Sequence, residues 1–404
     1  MMLDVPAAHT LQMPARRRIA WANRALERSW AKGWSPVPDL SPDALVAEAR
    51  KRVPGGELGD PGVWRVNLDV LCADLLSGEA RLSALGKTMA CGQLVAALRN
   101  RMLAHRLWAE HPEIADVPVA RPVLVLGQMR SGTTRMQRLL ACDPRLSWTR
   151  HYESWCPVGR ARRLRAAATL GVMRALNPEF SVIHPTSAGA PDEEIGLFSL
   201  ATYGATFEAQ WRVPGFARWC EGRDTRPVYA EFKRLLQTIA WLRGGREHRP
   251  WVVKVPQLTQ DLASVLETFP DARLVRVERD PVATVASAAS LVRNQMRVQS
   301  DAVDDAWIGR EWLGKVRLRR ERVEAALAAR PEVPVVEVAF DNMNRDWSGE
   351  MRRVYAVIGL ELTPKVERRM RRYLARAARE GRGGHRYAIE EFGLSEGEVR
   401  AALA

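Results

Sequence analysis

The sequence predicts an α/β fold: a parallel sheet flanked by helices, with a helical region before it and a helical tail after it. Three observations carry that prediction. Short apolar runs at 121–127 (RPVLVLG), 249–256 (RPWVVKVP) and 272–281 (ARLVRVERDP) read as buried strands. Each precedes a helical pattern: TRMQRLLACDP, DLASVLETFP and VATVASAASLV. Strand-then-helix repetition implies parallel pairing with crossover helices. The first strand also ends in a glycine-bearing loop that opens directly into its helix. PVVEVAFD (334–341) supplies a fourth strand.

Residues 1–118 read as an N-terminal helical region, and residues 119–404 as the α/β domain with its C-terminal helices and tail. In the first stretch Leu82, Leu85, Met89, Leu94, Leu98, Met102 and Leu103 recur at helical intervals, until Pro112 and Pro118 break the pattern. Arg16-Arg17-Arg18 beside Trp21 suits peripheral contact with a membrane surface, although a solvated helix face is the plainer reading. The basic segments 160–165 and 315–323 read as exposed helix faces, because no nucleic-acid-binding motif accompanies them. The chain closes with MRRVYAVIGL, the basic helix VERRMRRYLARAARE and the tail GRGGHRYAIEEFGLSEGEV.

Composition narrows the function classes. The 404 residues are 47% hydrophobic and 27% charged, which excludes wholesale disorder, collagen and coiled coil. A chain of this length buries a core without disulfides or metals. Lys and Arg exceed Asp and Glu by 14, and the pI is near 10.1, so anionic partners are expected. No apolar run reaches the ~18 residues of a membrane span. MMLDVPAAHTLQMPARRR has no apolar core of a secretory signal. Cys72, Cys91, Cys142, Cys156 and Cys220 are scattered and suit reduced thiols of a cytoplasmic protein. The histidines are dispersed, and no metal site is expected.

The strongest local signal is VLVLGQMRSGTTRMQRLL (123–140), in which Gly127 and Gly132 have P-loop spacing. Small residues let backbone N–H groups converge on an anion, and the helix N-terminus adds partial positive charge. The hydroxyls of Ser131, Thr133 and Thr134 add donors. A triphosphate loop carries Lys after the second glycine; here Thr133 stands there, and the cation is Arg130 inside the loop. Such a P-loop-like site suits one phosphate with a group attached rather than a Mg-bound triphosphate. The structural alternative is a strand-to-helix turn without ligand.

A second anion site is expected at Arg279, at the end of a strand whose following helix begins at Pro281. Ligands of parallel sheets bind beyond the carboxyl ends of the strands, so Arg279 and Arg130 would share one edge. A guanidinium binds two phosphate oxygens with its forked donors. Ser287 lies about two helical turns on. The plainer readings are an ion pair of Arg279 with Glu278 or Asp280, a packing role for Ser287, and a surface position for Lys254.

Gly-x-x-Arg-Ser-Gly-Thr-Thr after a buried strand resembles the 5′-phosphosulfate loop of sulfotransferases that use 3′-phosphoadenosine 5′-phosphosulfate (PAPS). The resemblance continues through PWVVKVPQL and FPDARLVRVERDPVATVASAASLV, where the serine eight positions after the arginine is Ser287. The tail GRGGHRYAIEEFGL and Arg99-Asn100-Arg101 resemble a bacterial branch of the same superfamily. The resemblance implies a sulfotransferase moving a sulfuryl group from PAPS to a hydroxyl of a small-molecule, lipid or carbohydrate acceptor, releasing PAP. It implies cofactor contacts at Arg130, Ser131, Gly132, Thr133 and Thr134, and at Arg279 and Ser287 for the 3′-phosphate. Arg130 and Lys254 would stabilise the leaving phosphate.

The family's histidine two residues after that lysine is absent, because Pro256 stands there. Other branches of the family use a glutamate about twenty residues past the loop, so the resemblance implies Glu153 as the base, with His184 and His151 as alternatives. PDEEIGLFSLA (191–201) is expected to cap a helix over the acceptor pocket, with Asp192, Glu193 and Glu194 favouring its N-terminus through the macrodipole; selection of a cationic acceptor is the alternative. Trp148, Trp155, Tyr203, Phe207, Trp211 and Trp219 line an apolar cavity or belong to the core. The competing functions are a P-loop nucleotide-dependent kinase and an anion- or nucleic-acid-binding protein. The PAPS reading expects no nucleic-acid partner.

Overall fold

A computed structural model describes residues 9–179, 185–245, 248–379 and 387–403. Five strands form one sheet: β1 (Val123–Leu126), β2 (Ser147–Trp148), β3 (Trp251–Val253), β4 (Arg273–Glu278) and β5 (Val335–Ala339). Their order is β2-β3-β1-β4-β5, and every pairing is parallel. Four of these strands coincide with the anticipated apolar runs. The fifth, β2, is two residues long and has no periodicity to detect; only its pairing of Ser147 with Trp251 makes it a strand.

The central strand β1 is buried at all four positions, as a parallel strand covered on both faces must be. Its alternation divides the interior. Leu124 and Leu126 join Trp251, Val253 and Leu274 in one apolar cluster, while Val123 and Val125 join Val252, Val275 and Val277 in the other.

Four helices precede the sheet: α1 (His9–Ala31), α2 (Pro42–Arg52), α3 (Pro61–Leu76) and α4 (Ala84–Glu110). Leu45, Leu68, Leu94 and Met102 from these helices belong to the same cluster as Leu124 and Trp251. The helical region therefore covers one face of the sheet and shares its core. The other face is covered by α5 (Thr133–Leu140), through Met136, Leu139 and Leu140, and by the helix Trp347–Ile358. The short α6 (His151–Trp155) and the longer α7 (Arg162–Leu176) follow β2.

Two contacts tie α4 to the elements that bear the site. At its start, Ser83 N–H donates to the Gln299 carbonyl at 3.0 Å, and a Cβ on Gly86 would lie 1.9 Å from that oxygen. Only glycine lets α4 abut the end of the helix Pro281–Gln299. Further along, Asn100 Nδ2 donates to the Trp155 carbonyl at 2.8 Å. The fully buried Arg101 forms a bidentate pair with Glu231 at 2.5 and 2.6 Å and donates to the Leu58 carbonyl. The Arg99-Asn100-Arg101 segment is thus a clamp between helices. Removing one partner of a buried ion pair costs about 3–5 kcal/mol, whereas apolar replacement of both is often near neutral. Arg101→Leu is expected to lower the unfolding free energy in urea by that amount, and Arg101→Leu with Glu231→Leu to recover most of it.

Candidate active site

The carboxyl ends of β3, β1 and β4 bring the predicted cations to one edge of the sheet. β1 passes into a loop in which Gly127 and Gly132 have φ of 150° and 102°. A Cβ on Gly127 would meet Ser131 Oγ at 2.6 Å and the Val277 carbonyl at 2.7 Å; one on Gly132 would meet Phe340 at 2.7 Å. Both positions therefore require glycine, sterically and conformationally. Arg130 itself is left-handed, with φ 72°. A non-glycine residue held in this region marks a strained functional turn. Gly132 is the N-cap of α5, and the buried Ser131 hydroxyl has no hydrogen-bond partner among the described residues.

The two anticipated anion sites are one assembly. Arg130 Nε donates to Ser287 Oγ at 3.3 Å, and Arg279 Nη1 donates to the Arg130 carbonyl at 3.0 Å. Arg279 also lies over the Phe340 ring, 4.7 Å from its centroid. Its acidic neighbours are engaged elsewhere: Asp280 caps the next helix and pairs with Arg400, and Glu278 pairs with Arg276. Burial is the main cause that depresses the Arg130 pKa; the Arg279 charge adds to it, and Tyr387 and Glu193 oppose it. Crowded guanidiniums and an unpaired buried hydroxyl fit a polyanionic ligand. Phe340, which closes this corner at the end of β5, carried no signal in the sequence beyond its place after a strand.

Lys254 follows β3 and is buried, not on the surface. Its Nζ donates to Thr134 Oγ1 at 3.1 Å and pairs with Glu193. It therefore connects the first turn of α5 with a carboxylate. Glu194 accepts the Lys254 backbone N–H at 2.8 Å, and Asp192 Oδ2 lies 2.6 Å from His151 Nδ1. The three acids were expected to cap a helix. That helix, Ile195–Ser199, spans five residues and receives no side-chain cap from Glu194. The acids instead pin His151, the Lys254 ammonium and the Lys254 backbone. Burial pushes the Glu194 carboxyl up to about 8, against the pull of the backbone hydrogen bond from Lys254.

Glu153 occupies a different environment from the one expected of a base. It is 1% exposed and accepts Arg243 Nε at 3.0 Å and Nη2 at 2.5 Å, with further bonds from Arg150 and Tyr152. Burial acts to raise its pKa, but Arg243 and Arg150 outweigh this and hold it below the ordinary value. It is a strut between α6 and the end of the helix Arg226–Leu242. His184 and residues 381–386 of the tail lie outside the described residues. Tyr203, Phe207 and Trp211 are buried core residues. Among the described residues no group of His, Cys, Asp or Glu could hold a metal ion.

Comparison with known proteins identifies the family. A family model described as the sulfotransferase family matches residues 122–364, well over half the chain. The omega-hydroxy-beta-dihydromenaquinone-9 sulfotransferase Stf3 of Mycobacterium bovis is 24% identical over 292 residues, 69% of this chain and 73% of its own. Two crystal structures share the fold. Sulfotransferase STF1 from Mycobacterium tuberculosis has a TM-score of 0.79 at 28% identity, covering 90% of this chain and 98% of its own. Sulfotransferase STF9 from Mycobacterium avium has a TM-score of 0.78 at 25% identity, covering 90% and 95%.

The environment of Glu194 has a measurable consequence. A carboxyl whose folded pKa of about 8 exceeds its ordinary 4.5 binds its proton more tightly in the folded state. Its stabilisation is complete below the unfolded pKa and is lost as pH rises through 8. Thermal unfolding followed from pH 5 to pH 9 is expected to show a falling Tm, and Glu194→Gln to flatten that fall.

Proposed function

We propose, for a chain that belongs to the sulfotransferase family, that its donor is PAPS and its acceptor a hydroxyl of a small-molecule, lipid or carbohydrate substrate. The observation that carries this reading is the contact chain Ser287–Arg130–Arg279 around the glycine loop. It joins the donors at the start of α5 to Arg279 in one cationic cluster, which suits a ligand bearing more than one anionic group. Ser131, Gly132, Thr133 and Thr134 hold the 5′-phosphosulfate; Arg279 and Ser287 hold the 3′-phosphate. Phe340 lends an aromatic face beside Arg279. The name of the Mycobacterium bovis relative supports a hydroxyl as acceptor. All five cysteines are free, which supports a reducing, cytoplasmic setting. Among the described residues no helix is long and apolar enough to cross a membrane.

The transfer is an in-line displacement. The acceptor oxygen attacks sulfur, and the bond from sulfur to the bridging oxygen breaks. The bonding pair stays on the departing 5′-phosphate, where Arg130 and Lys254 stabilise it. A base removes the acceptor proton. We assign that role to Glu193 in place of Glu153, because Glu193 is the carboxylate that meets Lys254 beside Thr134. Donor binding replaces Glu193 as the partner of Lys254 and frees the carboxylate for the proton. His151, oriented by Asp192, is the second assignment for the base.

Calorimetric titration with PAP, with Mg-ATP as the control, tests the donor. PAP is expected to bind without metal, and Arg130→Ala and Arg279→Ala each to weaken it about 10- to 100-fold, the worth of a charged hydrogen bond. Preference for Mg-ATP would instead identify a kinase. In single-turnover transfer Glu193→Gln is expected to slow the reaction by about 100-fold or more with PAP affinity retained. Glu153→Gln should lower the Tm without that loss; a rate loss confined to Glu153→Gln or His151→Asn would move the base there.

A further inference from the structure

We propose that the adjoining exposed faces of α1 and α7 form a docking surface for an anionic lipid bilayer. The two helices are joined where Arg18 Nη1 donates to the Ala175 carbonyl at 2.9 Å. Trp21 lies one turn along α1 from that joint and Val172 one turn back along α7. Trp21 is 68% exposed, Val172 59%, and Leu164, two turns before Val172 on the same helix, 72%. In α1, residues three and four apart share a face. Trp21 is accordingly flanked by Arg17, Arg24 and Arg28, all exposed. None of these three arginines forms an ion pair among the described residues. In α7, Leu164, Ala168 and Val172 follow at four-residue steps beside Arg163 and Arg174, and the helix contains no acid.

Two features must be satisfied together: large apolar side chains in water, and guanidiniums that form no ion pair among the described residues. A nucleic acid would neutralise the arginines and leave Trp21, Leu164 and Val172 in water. An anionic bilayer meets both, because aromatic and aliphatic side chains enter the headgroup boundary while basic ones bind lipid phosphates. The position is also apt. Beside the joint lies a cavity of about 380 Å³ with a mixed lining, in which Ile19 and Leu176 stand beside Arg16, Glu179, Arg293 and Arg297. Ser290 and Asn294, also in its lining, stand one and two turns beyond Ser287, the serine that contacts Arg130. A bilayer on this face would therefore bring the polar end of a lipid to a charged cavity next to the site. That last step rests on the proposed function; the docking itself does not.

The test is co-sedimentation of the full chain with vesicles of phosphatidylcholine alone or mixed with phosphatidylglycerol, without donor or acceptor, so its result is independent of the sulfotransfer reading. Binding to the mixed vesicles only, released by salt, is expected. A basic residue near such a surface is worth about fivefold in partitioning, so Arg17→Glu with Arg24→Glu should weaken it by roughly 25-fold or more. Trp21→Ser, at a site with little to unpack, should weaken it with the Tm unchanged. The proposal is overturned by equal binding of these variants, by indifference to phosphatidylglycerol, or by retention on duplex DNA with vesicles left unbound.

Discussion

The parallel register of β3, β1 and β4 is the constraint on which the rest of the site depends. It sets Lys254, the Gly127–Gly132 loop and Arg279 at the same edge of one sheet. Parallel strands all end on one side, so the residues that follow them must meet there, whatever their separation in sequence. The cost of that arrangement is the crowding of like charge. Each cation is therefore given a neutral or acidic partner: Ser287 for Arg130, the Arg130 carbonyl for Arg279, and Glu193 with Thr134 for Lys254. These partners hold the cations in place.

The acidic run Asp192-Glu193-Glu194 is the counterweight to this cluster. Three consecutive carboxylates have three different environments, because the chain turns through them immediately before a five-residue helix. One orients His151, one pairs with the Lys254 ammonium, and one is fully buried against the Lys254 backbone. Burial carries the Glu194 carboxyl up to about 8, against the pull of the hydrogen bond from the Lys254 backbone. Adjacent residues of the same type thus divide between charge balance and packing.

The arginine excess has no single cause. Much of it is structural: Arg101 on Glu231, Arg243 on Glu153, Arg145 on Asp143, and Arg276 among Glu278, Glu324 and Glu337. Planar forked donors suit such struts, since one guanidinium can join a carboxylate and several carbonyls at once. A few arginines gather at the edge of the sheet, and Arg17, Arg24 and Arg28 lie exposed on α1 with no ion pair among the described residues. Net charge by itself does not distinguish these uses; the partners do.

By itself the sequence determined the α/β class, the four longer strands and the glycine loop with its internal arginine. These are local features: strand and helix periods, and glycine demanded by positive φ. The tertiary structure alone decided which acid meets which base. Glu153 and Glu193 are both glutamates on the same side of β3 in sequence, and nothing in their spacing separates them. Arg243, 90 residues from Glu153, takes that carboxylate as a strut, and Lys254, 61 residues from Glu193, takes the other into the site. In the same way β2 exists only through β3, and Arg101 is a clamp only because Glu231 faces it. Electrostatic roles depend on contacts across long chain separations, and local pattern carries no record of them.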